Sequence, residues 1–204
     1  MTASQTPIEQ TQERKKNLRA EAHTRRNAQE QKDELSSVIC DQLMACPEYL
    51  ASKTVLWYVD VRSEVRTRNH LPKALGNGQK VVVPYCVDGL LNLFLLETMD
   101  ELTLGMYRIL EPREDLRALL SKKIKPQELD LVVVPGVAFD RRGGRMGHGF
   151  GYYDKLLEHV RPKTPLIALA FECQVYDEIP VAPHDVFMNA IITEKCVIRP
   201  AFNS

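Results

Sequence analysis

A single-domain α/β fold, three layers (αβα) around a mostly parallel central sheet, is what this 204-residue sequence predicts. Three observations carry the prediction. Short runs rich in Val and Ile recur between helix-like segments, as in a sheet whose strands are joined by helical crossovers. One run, Asp130-Leu-Val-Val-Val-Pro135, is apolar almost throughout, the pattern of a central strand covered on both faces. No repeat, low-complexity tract or linker divides the chain, so residues 9–204 are read as one domain behind a loose tail at 1–8.

The elements follow in order. From Glu9 to Ala45 there is neither Gly nor Pro, and Ala, Glu, Gln, Lys and Arg abound, which predicts one or two N-terminal helices. Leu35, Val38, Ile39, Leu43 and Met44 give the second part an apolar stripe, and Pro47 ends it. The β-branched and aromatic run Thr54–Asp60 reads as a strand. A helical stretch at Leu71–Leu75 leads to strands at Lys80–Pro84 and Leu90–Glu97, with a turn at Asp88-Gly89 between them. After the buried strand at 130–135 come a Gly-rich loop, a helix from Tyr152 to His159, and strands at Pro165–Phe171 and Asn189–Thr193.

Composition excludes several function classes. Lys plus Arg and Asp plus Glu both number 27, so the net charge is zero and no nucleic acid or membrane partner is called for. The longest apolar runs, such as Leu90–Leu96, are too short to cross a bilayer. Five scattered cysteines form no C-x-x-C pair, and the N-terminus is polar, so a cytoplasmic protein with reduced thiols is expected. Nothing calls for more than a monomer.

The chemistry concentrates in Val134-Pro-Gly-Val-Ala-Phe-Asp-Arg-Arg-Gly-Gly-Arg-Met-Gly-His-Gly-Phe-Gly-Tyr-Tyr-Asp154. It leaves a buried strand, passes glycines 143, 144, 147, 149 and 151, and enters a helix. Alternating glycines at the carboxyl end of a strand suit an anion cradle, with Arg145 supplying charge for a polyphosphate. The spacing matches neither a Walker A loop nor a dinucleotide-binding loop, and by itself also fits a surface hairpin. Tyr152, Tyr153 and Asp154 favour the ligand, since two aromatics beside such a cradle offer a platform for a ring.

The run Pro-Gly-Val-Ala-Phe-Asp-x-x-Gly-x-Arg-Met-Gly-x-Gly-x-Gly-Tyr-Tyr-Asp resembles the signature of the 5-formyltetrahydrofolate cyclo-ligase family. Further matches run in the family's order: Lys15-Lys-Asn-Leu-Arg19, Ser63-Glu-Val-Arg-Thr67, Lys80–Pro84, Ile109-Leu-Glu-Pro112 and Gln174 to Thr193. The resemblance implies a Rossmann-like fold and ATP-dependent closure of 5-formyltetrahydrofolate into 5,10-methenyltetrahydrofolate. It places Lys15, Arg19 and the segment Arg145, Met146, Gly147, His148, Gly149, Phe150, Gly151, Tyr152 and Tyr153 against ATP. Glu64, Val59 and Tyr152 fall against the folate, Asp154 and Asp185 near Mg2+, and Arg145 and Tyr152 take the catalytic places. Arg141 and Arg142 stay open between a phosphate and a glutamate tail. His148, Phe150 and Asn189 depart from the family's commonest residues; His148 would hold a phosphate only when protonated.

Two other readings remain. One is a relative that binds nucleotide or folate without turnover. The other is a phosphate-binding isomerase, which would need an acid/base pair at the cradle, and only Glu64 and His148 offer one.

Overall fold

In the computed structural model the described residues are 7–105, 109–182 and 185–201, the side chains of 7–10 excepted. Helix α1 (Pro7–Ala28) starts two residues before the expected boundary, with Pro7 in a first turn that needs no amide donor. The rest of the expected tail, residues 1–6, lies outside the described residues. Gln31, at φ +52°, breaks the helical run and starts α2 (Lys32–Ala45). Pro47 both ends α2 and opens α3 (Pro47–Ala51), again at a position with no amide to satisfy.

The remaining described elements are mostly strands, with three short α-helices between them. They are β1 (Thr54–Leu56), α4 (Leu71–Gly76), β2 (Lys80–Val87), β3 (Leu90–Leu96), β4 (Leu102–Leu104), β5 (Leu110–Pro112) and α5 (Glu114–Arg117). Then come β6 (Lys123–Ile124), β7 (Leu131–Val134), β8 (Ala138–Asp140), β9 (Arg145–Met146), α6 (Tyr152–Leu157), β10 (Leu166–Leu169), β11 (Val175–Tyr176), β12 (Ala190–Ile192) and β13 (Val197–Ile198).

Eight strands form the main sheet in the order β13-β12-β10-β7-β1-β2-β3-β6. The five central strands, β12 to β2, are parallel neighbours, and antiparallel partners close both edges. Asp88 and Gly89, at φ +50° and +75°, make the tight β2–β3 turn that their residue types favour. Alternation along each central strand divides the core between the two faces. Val55, Val81, Val83, Leu131, Val133, Ile167 and Ile192 pack with Ile39 and Leu43 of α2 and Leu71 of α4. Leu56, Val82, Val132, Val134, Ala168 and Ile191 pack with Leu156 and Leu157 of α6 on the other side. Burying both faces is what makes these strands read as continuous apolar runs.

Two expectations are corrected. The strand expected at Thr54–Asp60 stops at Leu56: after Trp57 donates to the Val82 carbonyl at 2.8 Å, the chain leaves the sheet. The Gly-rich segment is not one loop, because β8 and β9 fold back as a hairpin that joins β11 in a separate three-stranded sheet.

Candidate active site

The parallel strands supply the position. Chain order runs from β1 outward to β2, then returns to β7 and proceeds to β10 and β12 on the other side, so β1 and β7 flank the point where the winding reverses. Loops leaving the carboxyl ends of two such strands diverge and open a crevice between them. A cleft of about 700 Å³ lies there, a size suited to small-molecule ligands. It is lined by Tyr58–Arg62 and Glu64 after β1, Pro84–Cys86 of β2, Pro135 after β7, and Lys15 and Arg19 of α1.

All fifteen residues singled out by the sequence line this one cleft: Lys15, Arg19, Val59, Glu64, Asp185 and the run Arg145–Asp154. Their chain separation, from α1 to the approach to β12, is what the sheet topology closes up. Lys15 Nζ pairs with Asp185 at 3.0 Å, and Arg19 Nε donates to the Gly147 carbonyl at 3.0 Å. These are consecutive turns of one helix face, with His23 next.

Several of these residues differ from expectation in what they touch. Arg145 is on β9 rather than in a loop, and its side chain is 5% exposed. Its guanidinium pairs with Asp154 and donates to the Pro135 carbonyl at 3.2 Å. The Met146 side chain packs with Ala22, Val137, Ala138 and Ile179, so it serves the core beneath the cleft. Gly147 turns a carbonyl, not an amide, toward Arg19. Helix α6 is six residues long, ending at Leu157 rather than His159. Gly143 and Gly144 belong to the β8–β9 turn, against Met188 and Asp140.

Phe150 is 70% exposed and stacks on Tyr152, ring centroids 5.6 Å apart at 17°. The neighbouring Cys86 thiol raises the Tyr152 hydroxyl above the ordinary phenol range. Tyr153 packs against both main cores, and its buried hydroxyl has no hydrogen-bond partner among the described residues. Burial, reinforced by Glu64, pushes that hydroxyl's pKa up and keeps it a neutral donor. A polar atom buried at a cleft wall without a partner loses free energy unless a ligand or water meets it.

Glu64 and His148, the one acid/base pair available from the sequence, do meet: His148 Nε2 lies 3.1 Å from Glu64 Oε1. Glu64 Oε2 accepts from the Val61 amide at 3.0 Å.

Sequence reasoning missed several participants. Arg62, Arg66 and Arg68 line the cleft mouth, the last two 3.6 Å from buried Asp60. Burial raises the Asp60 carboxyl's pKa, and the backbone amide and side chain of Arg68 and the side chain of Arg66 oppose that rise. Three arginines within seven residues were the available signal. Arg26 of α1 is 1% exposed and donates to Ser63 Oγ and the Gly136 carbonyl, each at 3.1 Å. It ties the loop carrying Glu64 to the end of β7; burial lowers its pKa and the Glu64 charge opposes that. Arg141 and Arg142 lie outside the cleft, paired with Glu172 and with Asp140 and Glu178. Asn189 accepts the Leu166 amide at 2.8 Å, a sheet-end role.

For a divalent cation the donor set is small. No group of three His, Cys, Asp or Glu side chains that could hold an ion occurs among the described residues. Asp154 and Asp185 are hard oxygen donors in the cleft, each held by a cation. Mg2+ takes one or two carboxylates and completes its shell with phosphate oxygens and water, so this pair fits an ion arriving with a polyphosphate.

Comparison with known proteins gives a consistent result. The family model described as the 5-formyltetrahydrofolate cyclo-ligase family matches residues 11–194. A probable 5-formyltetrahydrofolate cyclo-ligase of Schizosaccharomyces pombe is 32% identical over 183 residues, covering 82% of this chain and 87% of the relative. The 5-formyltetrahydrofolate cyclo-ligase of Escherichia coli K12 is 28% identical over 172 residues, covering 82% and 92%. The solved structure of Aquifex aeolicus 5,10-methenyltetrahydrofolate synthetase superposes with a TM-score of 0.80 at 31% identity, over 93% of this chain and 94% of that one. By its sequence signature, its fold and these matches, the chain belongs to the 5-formyltetrahydrofolate cyclo-ligase family.

Proposed function

We propose that this protein converts 5-formyltetrahydrofolate to 5,10-methenyltetrahydrofolate with hydrolysis of ATP to ADP and phosphate. The observation that carries the reading is the single cleft, which gathers a basic helix face, a glycine-rich segment, two aspartates and an ordered glutamate at the sheet's reversal point.

The substrate's N5-formyl group is a formamide, and its oxygen is a poor leaving group. In the proposed first step that oxygen attacks the γ-phosphorus of ATP, ADP departs, and an iminium phosphate forms. N10 then attacks the formyl carbon and loses its proton, and the C–O bond to phosphate breaks as the ring closes. Such a reaction needs positioning and neutralisation of charge more than a protein nucleophile. Lys15 and Arg19 supply positive charge from α1, and Arg145 supplies it from β9 once phosphate competes for the guanidinium now paired with Asp154. Gly147–Gly151 let the chain approach the phosphates closely. Tyr152 and Phe150 offer stacked faces to a ring, and the Tyr153 hydroxyl offers a donor.

Glu64 receives N–H donors of the pterin, as a carboxylate with ordered oxygens can, beside apolar Val59. Asp154 and Asp185 would hold Mg2+, which when bound supplies neutralising charge to the phosphates. We take one chain to be the acting unit, since neither its balanced charge nor its residue pattern calls for a partner, and assign it to the cytoplasm on its free cysteines. No described helix is long and apolar enough to cross a membrane.

The Glu64–His148 contact is also what a phosphate-dependent isomerase would use as an acid/base pair. One experiment separates the readings: mix protein with Mg-ATP and 5-formyltetrahydrofolate, follow the near-ultraviolet band of the methenyl product, and quantify ADP. Growth of the band with stoichiometric ADP, absent when ATP is omitted, is expected. No product, with ATP still bound, would overturn the ligase reading in favour of a binding protein.

A further inference from the structure

Glu64 borders the cleft yet presents little to it, its side chain being 6% exposed. One oxygen accepts the Val61 amide at 3.0 Å, and the other faces His148 Nε2 at 3.1 Å. The His148 side chain is 29% exposed and is backed by His23 of α1, ring centroids 5.3 Å apart. A heterocycle that donates paired N–H bonds to a carboxylate must reach its oxygens edge-on. At 6% exposure Glu64 cannot receive such a ring while the imidazole rests on it. The covering residue sits between Gly147 and Gly149 on the same segment that lines the anion side of the cleft, and Gly149 holds φ +97°. The contact therefore spans two ligand subsites: its carboxylate belongs to one and its imidazole to the other.

We propose that His148 is a displaceable cap on Glu64 and the positioning residue through which the two substrates bind synergistically. Folate takes over Glu64, releasing His148 and with it the segment 147–151; a polyphosphate that draws the segment toward itself uncaps Glu64 in turn. This inference rests on Glu64 being the ring-binding carboxylate. The cap is a favourable contact of the free protein that folate binding breaks, so it lowers folate affinity when folate binds alone. Linkage then requires equal and reciprocal coupling: each substrate strengthens the other's binding by the same factor.

The test is calorimetric titration with 5-formyltetrahydrofolate, alone and in the presence of a non-hydrolysable ATP analogue. Wild type should bind folate more tightly with the analogue present. His148→Ala should bind folate alone about tenfold more tightly than wild type, the lower end of the scale of one lost hydrogen bond to a charged group. It should also lose most of the gain that the analogue gives. His148→Gln, whose amide can still donate to Glu64, should keep both properties near wild type. Folate binding by His148→Ala that is unchanged or weaker, or an undiminished synergy, overturns the cap. Glu64→Gln separates this from the underlying reading. If it loses folate affinity while His148→Ala behaves as wild type, the cap fails and Glu64 keeps its role; if it binds folate as wild type does, both fail.

Discussion

Gly149 and Gly143 share a left-handed backbone, at φ +97° and +90°, yet alanine should cause opposite failures at the two positions. At Gly149 a Cβ would lie 3.7 Å from the Arg19 guanidinium carbon, an ordinary contact. Collision is therefore absent, and backbone strain of about 1–3 kcal/mol is the whole cost. The segment can relieve that strain by shifting, which moves it off the phosphate position and away from Arg19. Gly149→Ala should raise KM for ATP by about tenfold, equivalent to about 1.4 kcal/mol, while Tm falls by only a few degrees. At Gly143 the Cβ would stand 2.6 Å from the Met188 carbonyl oxygen and 3.0 Å from Pro200 Cγ. A backbone oxygen cannot swing aside as a side chain can, so strain and overlap together cost about 3 kcal/mol. At about 2–4 °C per kcal/mol for a chain of this size, Tm should fall by about 6–12 °C with KM for ATP unchanged. Initial rates against ATP at saturating folate, beside scanning fluorimetry, read both effects. If Gly149→Ala keeps its KM within about twofold and instead loses stability as Gly143→Ala does, the assignment of the 147–151 segment to ATP is refuted.

Three further outcomes are expected. Glu64→Gln keeps an acceptor for the Val61 amide, so stability should hold, but loss of the charged acceptor should cut kcat/KM for folate about 100-fold. Lys15→Met breaks a partly exposed pair with Asp185 whose worth to stability is about 1 kcal/mol or less, so Tm should barely move while KM for ATP rises about tenfold. His23 and His70 are both lowered from 6.5, chiefly by burial. Below pH 6.5 the unfolded chain therefore binds more protons than the folded one, and stability falls as pH drops through that value. Urea midpoints measured at pH 7.5 and at pH 5.5 should differ in that direction, and His23→Asn should reduce the difference.

The central sheet was legible where its strands are buried on both faces, so Thr54–Leu56, Val81–Val83 and Leu131–Val134 announce themselves as apolar runs, whereas the exposed end of β2 beyond Pro84 does not. Arg145–Met146 and Val197–Ile198 were not, since two residues carry no period and the glycines around β9 read as a loop. The Gly-rich motif pointed to the cleft, but distance along the chain hides who joins it: Lys15 of α1 meets Asp185, 170 positions on, only in the folded chain. Arg26 was illegible for a different reason. It adjoins Arg25 in a basic stretch, and only the packing of Leu18 and Ala22, spaced four apart on the same face, tells the buried arginine from the exposed one.

That helix has a lopsided economy. Among the described residues neither main core contains a side chain of α1, and its fully buried side chains are Ala22 and Arg26. Lys15, Arg19 and His23, in a row beside them, reach the ligand side. Persistence of the architecture and choice of what it grips are thus written in different parts of the chain. Substitutions along one turn-by-turn row near the N-terminus can retune the chemistry of the crevice while the sheet behind it remains indifferent.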